Sequence, residues 1–136
     1  MQRRASKWAY LWASPWSAFG LLLGALAWCG GANWRRIDGT LEIDVAGRRS
    51  HARRRRGVPR FGAITFGHVM LGLDSATLAA LRSHEQVHVR QYERWGVLFV
   101  PLYLVESAWQ GLRGASPYRD NRFECQARAA SVQPRA

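Results

Sequence analysis

Two histidines and a glutamate stand at the spacing with which a helix can build a metal site. The segment His84-Glu85-Gln86-Val87-His88 reads H-E-x-x-H, and residues four apart project from the same face of a helix. His84 and His88 could therefore offer ring nitrogens to one ion. Glu85 could take a proton from a metal-bound water, whose pKa a zinc ion lowers towards neutrality. The pattern predicts a site for zinc-dependent hydrolysis.

A third protein ligand is expected, because catalytic zinc sites usually have three. Glu124 is the first candidate, Glu106 the second and His68 the third. Each has an alternative role. Glu124 follows Asn121 by three residues, which is also the spacing of a helix capping box. Glu106 interrupts an apolar stretch, where an unpaired carboxylate is costly, and a histidine on a core-facing strand such as His68 is more often hydrogen-bonded than metal-bound.

The H-E-x-x-H motif is predicted to lie on a long amphipathic helix. Asp74-Ser75 is a helix start signal, helix formers continue to Trp95, and Gly96 supplies a stop. Large side chains recur at spacings of three and four residues along this stretch: Leu78, Leu81, His88, Tyr92 and Trp95. The face that carries the motif is therefore predicted to be the buried face.

The elements around this helix indicate an α+β fold. Residues 40–45 alternate polar and apolar, as a half-exposed strand does, and a second strand is predicted over residues 61–73. We expect the two strands to pair as a hairpin across the basic loop 48–60. Residues 97–109 predict a core helix or a membrane-surface helix, and a last helix is predicted from Asp120 to about Ser131.

The motif and the last helix together resemble a known family. H-E-x-x-H followed at a distance by N-x-x-E-x-x-A, here Asn121 to Ala127, resembles the gluzincin zinc metallopeptidases, including their minimal and membrane-associated members. The segment HEQVHVRQYE is also similar to the HExxHxxQ of certain small bacterial zincin-like proteins of unknown role. The resemblance covers roughly residues 61–131 and depends on these two short motifs.

The resemblance implies a zincin-like fold, a zinc cofactor and hydrolysis of a peptide or protein substrate. His84, His88 and Glu124 would be the zinc ligands and Glu85 the catalytic base. Residues 63–73 would include the edge strand that aligns an extended peptide. The chain departs from the family at one place: many gluzincins carry an aspartate three or four residues beyond the ligand glutamate, where this chain has Ala127 and Arg128.

Hydrolysis also needs a hydrogen-bond donor for the developing oxyanion. Tyr118, Tyr92, His68 and Arg119 are the candidates, and Tyr118 is favoured because it lies shortly before Glu124. Gln91 shares a helix face with the two histidines. It is expected either to support one of them or to lie at the helix surface.

The first 34 residues are interpreted as a basic N-terminus with an apolar membrane anchor, and residues 35–136 as the metallopeptidase domain. Trp8–Cys29 contains no charged residue and is long enough to cross a hydrocarbon layer of about 30 Å. A single-pass inner-membrane helix is predicted, with a lean towards a cytoplasmic C-terminal domain. The alternatives are a cleavable signal peptide, a lipoprotein site at Cys29 and a hairpin broken at Pro15.

The chain is strongly basic, with 20 Lys+Arg against 9 Asp+Glu and a net charge of +11. Four consecutive arginines, Arg53, Arg54, Arg55 and Arg56, could bind anionic lipid headgroups. They could also form a solvated loop. Nucleic acid is not expected as a partner, because no recognition helix, aromatic RNA-binding strand or zinc finger accompanies them. The alternative function is that of an inactive zincin-like protein, or of a basic protein that binds a membrane surface or nucleic acid.

Overall fold

The structure is a computed structural model that describes residues 7–47 and 62–132. Four helices, four strands and one 3-10 turn are formed by these residues. In chain order they are α1 (Lys7–Cys29), β1 (Asn33–Ile37), β2 (Thr40–Asp44), β3 (Ala63–Phe66), β4 (Val69–Gly72), α2 (Ser75–Trp95), the 3-10 turn (Gly96–Leu98), α3 (Phe99–Leu112) and α4 (Arg122–Val132). The predicted α+β class is confirmed.

The strands form one mixed sheet in the order β1-β2-β4-β3. β1 pairs antiparallel with β2, and β3 pairs antiparallel with β4. β2 and β4 run parallel, with Leu41 opposite Val69. Strand β1 was not anticipated from the sequence; it is joined to β2 by a tight turn in which Asp38 and Gly39 both have positive φ.

The two predicted strand segments do pair, but the expected hairpin across the basic loop is wrong, because the pairing is parallel. The single strand expected over residues 61–73 is a hairpin, because the chain reverses at Gly67, which has a φ of 58°. Residues 40–45 then pair in parallel with the second arm of that hairpin. The intervening stretch is long enough for the crossover that parallel pairing requires. Residues 48–61 themselves lie outside the described part of the chain.

Helices cover both faces of the sheet. Ile43, Val69 and Leu71 pack against the α1 side chains Leu23 and Ala27. The next residue along β4, Met70, points to the opposite face and packs on Leu78 and Val89 of α2, as the alternation of a strand requires. All four positions of β4 are buried, which suits an inner strand covered on both sides.

Helix α1 is continuous through Pro15, so the interpretation as a hairpin broken at that residue is wrong. Proline cannot donate to the carbonyl four residues earlier. Here the Ser14 hydroxyl donates to that carbonyl, on Leu11, at 2.7 Å. The helix is long and apolar enough to cross a membrane. It also packs closely on the sheet, because a Cβ atom at Gly24 would lie 2.2 Å from Cδ1 of Ile43.

Helix α2 has the predicted bounds. The Asp74 carboxylate accepts a hydrogen bond from the Thr77 amide at 2.7 Å, which caps the N-terminus, and Gly96, with a φ of 56°, follows the last residue. His88 and Tyr92 are buried, as the periodicity predicts. The helix therefore carries its motif against α3 and α4 rather than towards solvent.

Candidate metal centre

His84, His88 and Glu124 come together from two helices. The His84 Nε2 atom lies 3.2 Å from Glu124 Oε2, and His88 Nε2 lies 3.4 Å from Glu124 Oε1. The two Nε2 atoms are 3.2 Å apart. One nitrogen of each imidazole and the carboxylate thus converge on one point, and the group could hold a metal ion.

Asn121 anchors the start of α4 and so places Glu124. It is fully buried; its amide donates to Tyr103 O at 3.1 Å and to Ser107 Oγ at 2.8 Å on α3. Its Oδ1 caps the helix by accepting from the Phe123 amide at 2.9 Å. The backbone N–H of Asn121 donates to Tyr118 O rather than to Glu124. The reciprocal bond of a capping box is therefore not made, and the Glu124 carboxylate faces the histidines.

Gln91 determines the orientation of the His88 ring. The Gln91 amide nitrogen donates to the Phe123 carbonyl and to Gln126 Oε1, both at 3.1 Å. Its Oε1 therefore faces His88 Nδ1, 2.8 Å away. Since an amide oxygen only accepts, Nδ1 carries the proton and Nε2 presents its lone pair to the cluster. Of the two expectations for Gln91, the contact agrees with support of a histidine, and the side chain is buried.

Tyr103 holds the Glu124 carboxylate and was not anticipated from the sequence. Its hydroxyl donates to Glu124 Oε1 at 2.8 Å. The other oxygen, Oε2, is buried and has no aligned hydrogen bond from the described residues, although His84 Nε2 lies close to it. A buried carboxylate oxygen without such a partner is costly. A cation between the three side chains would satisfy it.

The electrostatics of the cluster keep Glu124 ionised. Burial alone would raise its pKa, but the interactions with His84, His88 and Tyr103 lower it well below its usual range. Burial likewise opposes charge on His88, yet the neighbouring Glu124 carboxylate raises the pKa of that imidazole. Burial and the negative charge of Glu124 raise the pKa of Tyr118 to about 12. At neutral pH the carboxylate is an anion and Tyr118 keeps its proton.

Glu85 is buried beside the cluster and is held by the sheet. The Thr65 hydroxyl, on β3, donates to Glu85 Oε2 at 2.7 Å. This bond fixes one carboxylate oxygen and leaves Oε1 for another partner. Thr65 lies on a short strand whose sequence carries no motif, so nothing in the sequence distinguished it.

A cavity of about 540 Å³ joins these groups to β3. The polar side chains that line it are those of the cluster and its surroundings: Thr65, His84, Glu85, His88, Tyr92, Tyr103, Tyr118 and Glu124. The remaining wall is mainly apolar and includes Ile64, Phe66, Phe99 and Val100. The cluster therefore opens on a space that can take an extended, mostly apolar segment.

The structure places three of the other candidates away from the cluster. His68 lies in the turn between β3 and β4, where its Nε2 is 3.1 Å from Glu93 Oε1 and its ring stacks on Tyr10 at 4.2 Å. Glu106 accepts a hydrogen bond from Gln110 at 2.8 Å. Arg119 is exposed and does not line the cavity. Tyr92 does line it, with its ring centroid 4.3 Å from that of Phe99.

The region where many gluzincins carry an aspartate is occupied differently. Ala127 is fully buried, and the Arg128 side chain donates to the Arg119 carbonyl.

Comparisons with protein-family models, curated proteins and solved structures find no match. Function is therefore inferred from the geometry of the cluster and its cavity. Arg53, Arg54, Arg55 and Arg56 lie outside the described residues, and their contact with lipid headgroups stays a prediction.

Proposed function

We propose that this protein is a zinc-dependent peptidase of gluzincin type, with His84, His88 and Glu124 as the zinc ligands. One observation carries the proposal: the two imidazole Nε2 atoms are 3.2 Å apart, and the two oxygens of the Glu124 carboxylate lie 3.2 Å from His84 Nε2 and 3.4 Å from His88 Nε2. Zinc–ligand bonds of about 2.0–2.1 Å in a tetrahedron separate the ligand atoms by about 3.3 Å. The distances between the two nitrogens and the carboxylate oxygens are close to this value, which supports a single zinc ion between the three side chains.

The chemistry of the donors favours zinc and a catalytic role. Two imidazoles and one carboxylate suit zinc, whereas calcium and magnesium prefer oxygen ligands. Structural zinc sites use four protein ligands, and catalytic sites use three and leave one position open. All three side chains of the cluster line the 540 Å³ cavity, so a fourth position would face the space that a substrate enters.

The residues around the cluster can carry out peptide hydrolysis. A bound zinc ion would polarise the scissile carbonyl and lower the pKa of a coordinated water. Glu85, fixed at one oxygen by Thr65, takes the proton of the attacking water and delivers it to the leaving amine. Tyr118 keeps its proton at neutral pH, lines the cavity and interacts with Glu124; it could turn from that carboxylate to donate a hydrogen bond to the oxyanion. Tyr103 keeps Glu124 in place.

Strand β3 supports a peptide or protein substrate. Among the described residues it pairs with β4 alone, so its outer edge offers unpaired backbone groups. All four of its residues, Ala63–Phe66, line the cavity. An extended peptide that adds to this edge would pass beside the cluster with its scissile bond near Glu85.

Membrane association follows from the surface of α1. Its outward side chains are large and apolar, with Trp8 78% exposed, Leu26 64% and Trp28 67%. A helix of 23 residues is about 35 Å long, enough to cross a hydrocarbon layer of about 30 Å. We propose that this exposed face of α1 associates with the inner membrane and, from the distribution of basic residues around the helix, that the C-terminal domain is cytoplasmic.

The proposal is tested by separating metal binding from turnover. The purified full-length protein should contain about one zinc per chain by mass spectrometry of metals, as one three-ligand site requires. His84→Ala and His88→Ala should lose that zinc. Glu85→Gln should keep it and abolish cleavage of unfolded protein and peptide-library substrates.

Glu93→Gln is the matched control, because Glu93 lies on the same helix and pairs with His68 away from the cavity. It should retain zinc and activity. A zinc-loaded wild-type protein that is as inert as Glu85→Gln would instead favour the inactive zincin-like protein, which the alanine and arginine at positions 127 and 128 also suggest.

A further inference from the structure

A second cavity lies between α2, α3 and α4, next to the metal cluster. It has a volume of about 530 Å³, and Arg90, Arg94 and Arg122 line it. We call it the arginine groove. Gln91 also lines the groove, while its side-chain oxygen contacts His88. The groove is distinct from the cavity that holds the proposed hydrolytic site.

The arginine groove carries an excess of positive charge. Its three arginines are exposed, and Glu106 is the one carboxylate among the described residues that line it. Glu106 Oε1 lies 3.6 Å from Arg122 Nε, so one arginine is partly neutralised. The Arg94 guanidinium lies over the Trp95 ring at 5.5 Å. This contact restrains it at the edge of the groove. The groove is therefore suited to an anion.

An exposed apolar stripe borders the groove. It follows one face of the 3-10 turn and α3 at spacings of three and four residues: Leu98, Leu102, Val105, Trp109 and Leu112. Leu102 and Val105 line the groove itself. Val105 is 67% exposed and Leu112 is 84% exposed. Leu102 is half-buried and the other four side chains are exposed, and an exposed apolar surface of this kind is typical of a binding site.

We propose that the arginine groove and the α3 stripe bind an anionic phospholipid of the membrane surface. Guanidinium groups pair with phosphate in a fixed, directional geometry, and the stripe offers the acyl chains an apolar face. Tryptophan and arginine together are typical of the interfacial layer of a bilayer. An acidic peptide would use the arginines but would leave Leu98, Val105 and Leu112 exposed to water.

The surface is continuous with α1. The N-terminal half of α1 packs on the 3-10 turn at which the stripe begins: Trp16 Nε1 donates to the Val97 carbonyl at 3.2 Å. Trp12 is 48% exposed beside it, against Gly96. Lipid bound at the stripe would therefore lie next to the apolar outer face of α1. The groove, which residues of α2, α3 and α4 line, would attach the protein to the membrane in addition to that helix.

Native mass spectrometry of the full-length protein in a neutral detergent tests the proposal. Short-chain phosphatidylglycerol, short-chain phosphatidylcholine and inorganic phosphate are titrated separately. We expect phosphatidylglycerol to bind at least about tenfold more tightly than either other probe. Arg90→Gln/Arg94→Gln should weaken it by at least about tenfold, whereas Glu106→Gln, which removes the groove's carboxylate, should strengthen it.

The matched control is Arg35→Gln/Arg36→Gln, which removes the same charge from exposed positions on β1. It should bind phosphatidylglycerol as the wild type does. Equal losses in both double variants would mean that net charge attracts the lipid without a site. Equal binding of phosphatidylcholine would overturn the role of charge. Equal binding of inorganic phosphate would overturn the role of the stripe, and tighter binding of an acidic peptide would overturn the lipid as occupant.

Discussion

Gln91 connects the candidate metal cluster to helix α4, a role that its position in the sequence did not reveal. By giving two hydrogen bonds to α4, at Phe123 O and Gln126 Oε1, it fixes its own orientation. Its side-chain oxygen then accepts a hydrogen bond from the N–H of His88 Nδ1. One amide thus sets the tautomer of a candidate ligand, His88, and joins the two helices that carry the cluster.

Removal of this amide should weaken metal binding. We expect Gln91→Ala to raise the zinc dissociation constant by about 10–100-fold, as the loss of a partner behind a ligand histidine usually does. Gln126→Ala should change it little, because Gln126 is exposed and touches only the amide nitrogen. Competition with a zinc-binding dye measures both. Equal affinities in wild type and Gln91→Ala would contradict the role given to this side chain.

The metal-free protein should be most stable in mildly acidic solution. The raised pKa of His88 stabilises the fold below the unfolded value of 6.5, and this contribution is lost as pH rises through the folded pKa. The lowered pKa of Glu124 stabilises it above 4.5, and this contribution is lost as pH falls. Both act in full between those values.

After chelation, the melting temperature of the wild type should therefore fall as pH rises above about 6.5. In His88→Gln the fall should be smaller, because the titrating imidazole is gone. Thermal unfolding followed by circular dichroism measures the difference. A wild type that gains stability over this range, relative to the variant, would contradict the assigned direction.

At the scale of residues, the sequence predicted those groups whose relation is local. His84 and His88 are one helical turn apart, and Glu124 belongs to a second short motif, so their types and spacing were sufficient to nominate them. Tyr103 and Thr65 contact Glu124 and Glu85 across 21 and 20 positions of the chain. Such contacts depend on how α3 and β3 pack, which no local pattern encodes.

The packing of α1 on the sheet depends on small side chains at the contact. Ala13, Gly20 and Gly24 are buried, and a Cβ atom at Gly20 would lie 2.8 Å from the Val69 Cβ. Close approach of a helix to a sheet requires such residues where large ones would force the elements apart. Helix α1 therefore serves the core with one face and exposes an apolar surface with the other.

A larger side chain at the contact should destabilise the protein. We expect Gly24→Val to lower the free energy of unfolding by about 1–3 kcal/mol, because its branched side chain would overlap Ile43. Ala25→Val is the control: it places the same side chain one position on, where α1 is exposed, and should cost less than about 1 kcal/mol. Chemical unfolding in detergent distinguishes them. Equal effects would mean that α1 is independent of the sheet.

At the scale of elements, helix α2 was predictable and the sheet was not. The bounds of α2 are set by Asp74 and Gly96, whose capping geometry involves only their sequence neighbours. Strand pairing joins distant segments of the chain. The hairpin at Gly67 lies within residues 61–73, whose mostly apolar sequence resembles a single strand. Parallel pairing of β2 with β4 has no local signature, since it is decided by which faces the two covering helices bury.

Across the whole molecule, the cluster links helices that are far apart in sequence. α2 supplies two of the three candidate ligands and α4 supplies one, so an ion bound between them would stabilise only the folded chain. At a free zinc concentration a thousand times the dissociation constant, this linkage amounts to about 4 kcal/mol. The stability of the packing of α4 on α2 should therefore depend on whether the ion is bound.

Zinc chelation should lower the melting temperature of the wild type and leave that of His84→Ala almost unchanged, because the variant has no ion to lose. The expected fall is several degrees or more for a chain of this length. Differential scanning fluorimetry with and without chelator provides the measurement. If both proteins respond alike to the chelator, the stabilising ion is bound elsewhere.

The close fit of the first helix against β2 and β4 has a consequence for processing of the chain. Proteolytic trimming after Cys29 would strip one wall from the hydrophobic interior and uncover Ile43, Val69 and Leu71, which are at most 8% exposed in the intact protein. A shortened product would expose an apolar face of the sheet to solvent and would aggregate unless another molecule covered that face. Helix α1 is thus a structural support of the sheet.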